Sequence, residues 1–240
     1  MDEHAADGTP AAGRLLIIGG GEDLCCGTGV LDRFVELAGG SQARITLVTT
    51  ATGIPDAVHA EYERVFRKLG VAYTRELRLR GRADADGDEA EMIIRDSTGV
   101  FISGGDQSRI RALVGSRTND VLSERLAEGL VVAGTSAGAT ALGRTMILGG
   151  QGPEVAAATV RTGPGLGLIR SLLIDMHFAA RGRLPRLLSA VALHPGTRLP
   201  EVLQICSTLV GDRPVNAEDP GALLVEPGSS VEFLPPFAGG

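Results

Sequence analysis

Residues 131–142 read VVAGTSAGATAL. A short apolar run meets Gly134-Thr135-Ser136-Ala137-Gly138, and small helix-forming residues follow. A lone serine between two glycines, where a strand becomes a helix, is the pattern of a nucleophile elbow. The sharp turn holds the serine oxygen clear of the sheet, and glycines on both sides avoid Cβ clashes. The helix dipole and the N–H of Ala137 could then stabilise an oxyanion. As a bare pattern, the same residues also fit a glycine-rich turn of an α/β protein.

The surrounding chain repeats the strand-to-turn theme. Residues 14–18, RLLII, run into Gly19-Gly20-Gly21, and 44–50, RITLVTT, read as a second strand. Residues 71–79 read as a third, and 99–103, GVFIS, as a fourth that runs into Gly104-Gly105-Asp106-Gln107. Helical spacing covers 30–38. Pro55 opens a helix in which Val58, Tyr62, Val65, Phe66 and Leu69 recur on one face, and Gly70 closes it. Residues 81–89 read as a polar surface loop before a helix near 88–96, and one or two helices cover 107–128. Such alternation predicts an α/β fold: a flavodoxin-like, doubly wound, mostly parallel sheet with helices on both faces. Sites in these sheets form beyond the carboxyl ends of the strands. The turns GGGED (19–23), SGGDQ (103–107) and GTSAG (134–138) all fall there.

Beyond residue 145 the pattern loosens. LIRSLLIDMHF (168–178) ends a strand, 183–194 reads as an amphipathic helix, and 203–234 as short strands with turns. No repeat or linker divides the chain. The expectation is a loose tail over 1–13 and a single domain over 14–240.

Composition narrows the function. The 240 residues are 43% apolar and 22% charged, ordinary for a globular protein. Aromatics are 3% with no Trp, so aliphatic side chains must build the core. A net charge of −6 argues against nucleic acid as partner, and no apolar run is long enough to span a membrane. The acidic start, MDEHAADGTPAAG, is no secretory signal. Three cysteines, Cys25, Cys26 and Cys206, without zinc-type spacing, fit packing in a reduced cytoplasmic protein. No metal or other cofactor is expected, for HExxH, Cys/His ligand spacing and paired-carboxylate clusters are all missing from the sequence. GGGED lacks the Lys and Ser/Thr of a phosphate loop, so its glycines are read as allowing close backbone packing beside the site.

A serine nucleophile needs a base. His4 lies in the tail, His59 within a helix, and His194 at a helix end before Pro195-Gly196. His177 ends the run LLID at the carboxyl end of a strand, where the elbow also sits. Taken alone it also fits a structural histidine; with Ser136 it makes a pair. An α/β-hydrolase would place an acid between serine and histidine in chain order. Here the histidine follows soon after, and the helices before the serine are arranged differently, so the elbow belongs to another fold.

GTSAGA (134–139), GGDQSRI (104–110), GGGED (19–23) and above all IDMHFAARGRLPRLLSAVA (174–192) resemble the cyanophycinase family of serine peptidases, in order and spacing over most of 14–195. The resemblance implies a fold related to aspartyl dipeptidases and class I glutamine amidotransferases. It implies a cytoplasmic, homodimeric hydrolase, and a small peptide or aspartyl-amide substrate. The family releases β-aspartyl-arginine dipeptides from cyanophycin, a poly-aspartate with arginine on each β-carboxyl. By matching motifs Ser136 is the nucleophile and His177 the general base; the backbone N–H groups of Ala137 and Gly105 are expected to hold the oxyanion. Gln107, Asp175, Arg181, Arg183 and Arg186 fall at substrate-contacting positions, and guanidinium groups there would suit carboxylates.

Two positions depart from the family. Met176 stands where it has glutamine, which implies an altered substrate contact. The acid downstream aligns within AEDPGAL (217–223), where either Asp219 or Glu218 could orient His177. The sequence therefore predicts a serine hydrolase of an amide bond next to an aspartyl-type residue. An α-aspartyl dipeptidase, a tailoring amidase, or a binding protein with a decayed triad are the alternatives.

Overall fold

The computed structural model describes residues 13–22, 24, 29–150, 160–177 and 183–194, together with the backbone of three short late strands. In chain order the elements are β1 (Arg14–Ile18), α1 (Val30–Leu37), β2 (Arg44–Val48), α2 (Pro55–Lys68), β3 (Tyr73–Leu77), α3 (Arg82–Ala85) and α4 (Asp88–Asp96). Then come β4 (Gly99–Ile102), α5 (Gln107–Ile110), α6 (Arg117–Ala127), β5 (Val131–Thr135), α7 (Ala137–Ala141), β6 (Gly143–Gly150), β7 (Val160–Pro164), β8 (Ile169–Ile174) and α8 (Leu184–Leu193). The late strands are β9 (Leu209–Val210), β10 (Arg213–Pro214) and β11 (Ser230–Leu234).

Six strands form one parallel sheet in the order β11-β1-β5-β4-β2-β3. Parallel strands need crossovers, which the helices supply, and the helices cover both faces. That is why the inner strands read as unbroken apolar runs. Alternate residues feed two cores. Leu15, Ile17, Val100, Ile102 and Val132 enter one; Leu16, Ile18, Ile45, Leu47, Phe101 and Ala133 enter the other. The scarce aromatics collect in the second core. Phe101 lies 5.5 Å from Phe34 and 4.8 Å from Tyr62, ring centroid to centroid, under α1 and α2. The first core is aliphatic and packs α4, α6 and α8.

The expected elements stand within a few residues of their predicted limits. The polar loop over 81–89 differs, because it contains α3, whose Ala85 is buried and accepts a hydrogen bond from Thr118 Oγ1 at 2.6 Å. The loosened pattern after 145 resolves as a second, three-stranded sheet, β7-β6-β8, with one antiparallel and one parallel pairing. Its Ile147, Leu173 and Ile174 join the aliphatic core, so β8 ends beside the main sheet's carboxyl edge. Among the described residues no helix is long and apolar enough to cross a membrane.

Candidate active site

Strand β5 ends at Thr135, and the chain turns through Ser136 into α7. Ser136 takes φ 52 and ψ −111, a conformation costly for a residue with a side chain. Its amide donates to the Ile18 carbonyl at 3.0 Å, which fixes the turn to the end of β1. The flanking glycines are there because nothing larger fits. A Cβ on Gly134 would lie 2.7 Å from the Gly138 carbonyl carbon, and one on Gly138 would lie 2.2 Å from the Ile102 oxygen.

His177 arrives from β8, a separate sheet. It too takes a positive φ, 48, and its amide donates to the Gly19 carbonyl at 3.0 Å. Among the described non-glycine residues, Ser136 and His177 alone have positive φ. Strain thus concentrates on two residues from distant parts of the chain, both anchored to the end of β1. Ser136 Oγ stands 3.0 Å from His177 Nε2, and both residues are half-buried, within reach of solvent. Gly20, at φ 102, passes beside them; a Cβ there would lie 2.7 Å from His177 Cε1 and 3.2 Å from Ser136 Cβ. The close-packing role expected of the GGGED glycines fits Gly20, whereas Gly19 and Gly21 have open space beside them.

Met176 is buried and its sulfur lies 2.9 Å from Ser136 Oγ, in position to accept the same proton. The serine has one proton to give. A thioether is a weak acceptor and a neutral imidazole nitrogen a strong one, so the proton goes to Nε2. That requires the tautomer with hydrogen on Nδ1.

The other expected substrate residues are held in place by one another. Asp175 is buried. It accepts from Arg186 Nε at 2.9 Å and from a second guanidinium nitrogen of Arg186, and takes the Met176 amide at 2.8 Å. Arg183 donates to the Met176 carbonyl at 2.7 Å and has its charge 3.7 Å from Asp175. The fork-to-fork pair locks the Asp-Met-His turn under the nucleophile, and buries two charges that neither could carry alone. Gln107 is buried as well, donating to the Ile147 carbonyl at 3.2 Å and so tying α5 to β6. Ala137 is the first residue of α7, where an N–H lacks an intrahelical acceptor. Gly105, at φ 144, faces the Ala51 carbonyl so closely that a Cβ would stand 2.2 Å from its oxygen. Arg181, Glu218, Asp219 and the three cysteines lie outside the described residues.

One group was not singled out from sequence. Glu22 accepts from Thr135 Oγ1 at 2.6 Å and from the Tyr62 hydroxyl. Burial, and then the charge of Glu22, push the Tyr62 phenol well up, so it stays a donor. The carboxylate straps the triple-glycine turn to the residue before the nucleophile. The readable signal was a charge directly after three glycines at a strand end. Among the described residues, no group of His, Cys, Asp and Glu side chains is arranged to hold a metal ion.

This geometry has counterparts. The pattern of Peptidase family S51 matches residues 15–206. Cyanophycinase of Nostoc sp. is 36% identical over 192 residues, covering 78% of this chain and 64% of that protein. Cyanophycinase of Synechococcus elongatus is 39% identical over 186 residues, covering 76% and 58%. Cyanophycinase of Geminocystis herdmanii is 31% identical over 228 residues, covering 91% and 82%. The chain thus spans less than two thirds of the length of the first two. A peptidase from an acI-B1 Actinobacterium shares the fold, with a TM-score of 0.56 at 21% identity over 75% of this chain and 74% of that one.

Proposed function

The chain belongs to Peptidase family S51, and on that premise we propose that it is a serine hydrolase of amide bonds next to an aspartyl-type residue. One observation carries the reading: Ser136 Oγ stands 3.0 Å from His177 Nε2, with both residues in strained backbone conformations. His177 takes the serine proton as the oxygen attacks the amide carbonyl. The N–H groups of Ala137 and Gly105 receive the oxyanion. His177, now protonated, gives its proton to the leaving amine, and an acyl-enzyme remains. Water, deprotonated by the same imidazole, releases it.

The substrate class rests on kinship, since the matching curated relatives bear the name cyanophycinase. Met176 argues for a departure in detail: at its position an apolar thioether meets the nucleophile where a glutamine would offer a donor and an acceptor. We therefore assign weak action on cyanophycin and better action on a substrate with a smaller or apolar group at that contact.

A fluorophosphonate probe tests the chemistry, and a panel of β-aspartyl-arginine polymer, β-aspartyl dipeptides and α-aspartyl dipeptides tests the substrate. Labelling at Ser136 and turnover of one panel member are expected. An unlabelled, inert protein would leave a binding protein on a peptidase fold.

A further inference from the structure

The carboxyl edge of the sheet carries a second feature, away from the Ser136–His177 pair. Beyond the ends of β2 and β3 lies a cavity of about 480 Å³. Thr49, Thr50, Thr52, Arg78, Arg80 and Arg109 line it, together with Pro55 at the N-terminus of α2. Its size suits one or two residues of a peptide.

The charge on its wall is only partly matched. Arg78 is matched by Asp56 and Glu76. Arg109 is exposed and donates to the Thr52 carbonyl at 2.8 Å, which holds its guanidinium at the cavity, and it makes no ion pair among the described residues. Arg80 is exposed, and its guanidinium makes no ion pair among the described residues, while its backbone amide is held by Asp84 at 2.7 Å. Two cations therefore face an open cavity beside the positive end of a fourteen-residue helix. Asp106 caps α5 through Ser108 and keeps its charge, which attracts Arg109 and offsets part of that cation.

The cavity is also joined to the nucleophile. Gly104 packs on Ser136, and its neighbour Gly105 packs on Ala51, one residue before Thr52. In the sheet order β5-β4-β2-β3, the cavity floor is two to three strands from the elbow. At about 4.8 Å per strand this is roughly 10–14 Å, or three to four residues of extended chain at about 3.3 Å each.

We propose that this cavity is a remote anion subsite, which takes a carboxylate three to four residues from the scissile amide of an extended acidic peptide substrate. The proposal rests on the hydrolase reading for what it serves, but not for its measurement. Guanidinium forks at Arg80 and Arg109 grip the carboxylate, and the dipole of α2 adds to the attraction. The subsite would give a polymer or oligopeptide an advantage over a dipeptide without touching the reacting bond.

Binding of fluorescein-labelled tetra-aspartate, followed by anisotropy in the Ser136→Ala protein, tests it without turnover. The affinity should fall about tenfold when Arg80→Ala and Arg109→Ala are added. Arg80→Ala alone, which removes no internal contact, should account for about threefold, and Arg80→Lys, which keeps the charge but not the fork, should recover only part of it. Labelled tetra-asparagine should bind weakly and equally to all. Equal tetra-aspartate affinity with and without the two arginines, or no tetra-aspartate binding at all, overturns the subsite. Fluorophosphonate labelling of Ser136 is run in parallel and should be the same with and without the arginines. Slower labelling of the double variant would mean that they act on the nucleophile, and would also overturn it. Failure of the unsubstituted protein to label strikes only the hydrolase reading, and the anisotropy still decides the subsite.

Discussion

Two stretches of one sheet edge are built in opposite ways. Where the turns after β5 and β1 meet at Gly20, Gly134 and Gly138 there is no room for a side chain. A Cβ on Gly20, Gly134 or Gly138 would lie 2.2–2.7 Å from its nearest neighbour, and Ser136 and His177 bear the positive φ angles. After β2 and β3 the turns open into a cavity of about 480 Å³ with arginines on its wall. Bond making needs atoms held to a fraction of an ångström, and a displacement of about 1 Å can cost about 10²-fold in rate. Recognition of a charge through long side chains tolerates far more. The packed half therefore has its conformations dictated by backbone contacts, and the open half only its charge.

The contrast is broken most directly at the nucleophile. Ser136→Ala should lower amide hydrolysis by roughly 10⁴-fold or more with an unchanged thermal midpoint. Turnover near the original rate would show that the packed turn is not where the chemistry occurs. Next comes its support. Asp175→Asn leaves Arg186 buried without its counter-charge and should cost about 3–5 kcal/mol in urea unfolding. A loss under about 1 kcal/mol would mean that the pair is not dry.

Gly20→Ala probes the packing itself. The new methyl lands on the His177 ring, so kcat should fall about 10²-fold. Stability should fall by about 1–3 kcal/mol from the positive φ alone. Unchanged kcat would show that the turn yields. Met176→Gln sharpens selectivity. The ratio of kcat/KM for β-aspartyl-arginine over α-aspartyl substrates should rise about tenfold, one hydrogen bond's worth. A fixed ratio would remove Met176 from substrate choice.

The smallest effect lies between the two regions. Asp106 caps α5, and the Ser108 hydroxyl first, then the Ser108 amide, hold its carboxyl below the usual 3.8. Its ionised form favours the folded state, so its contribution is whole above the unfolded value and vanishes as pH falls through the lower folded one. Asp106→Ala should cost about 0.5–2 kcal/mol at neutral pH and progressively less under acid. A loss equally large well below pH 3.8 would exclude the ionised cap as its source.

How much of this could be read from sequence follows from how local each cause is. The elbow was legible because its demand for small neighbours is written in adjacent letters, Gly134 and Gly138 around Ser136. His177 was legible from its place at a strand end, and the strands from their apolar runs. The second sheet was not, because its pairing of β6 with both β7 and β8 depends on contacts that no periodicity records. Nor was the mutual pairing of Asp175 and Arg186, because charged letters look alike whether they face a ligand or each other. Glu22 was missed for the same reason: its partners Thr135 and Tyr62 are far along the chain.

The pairing of β1 with β11 bears on synthesis. β1 is made first, yet one flank waits for residues 230–234, about 200 positions later. The carbonyls of Ile18 and Gly19, at the end of that strand, hold the amides of Ser136 and His177. A chain still on the ribosome would carry the nucleophile and the base without a finished strand to hang them on. The Ser136–His177 pair would then gain its finished support only once residues 230–234 have emerged.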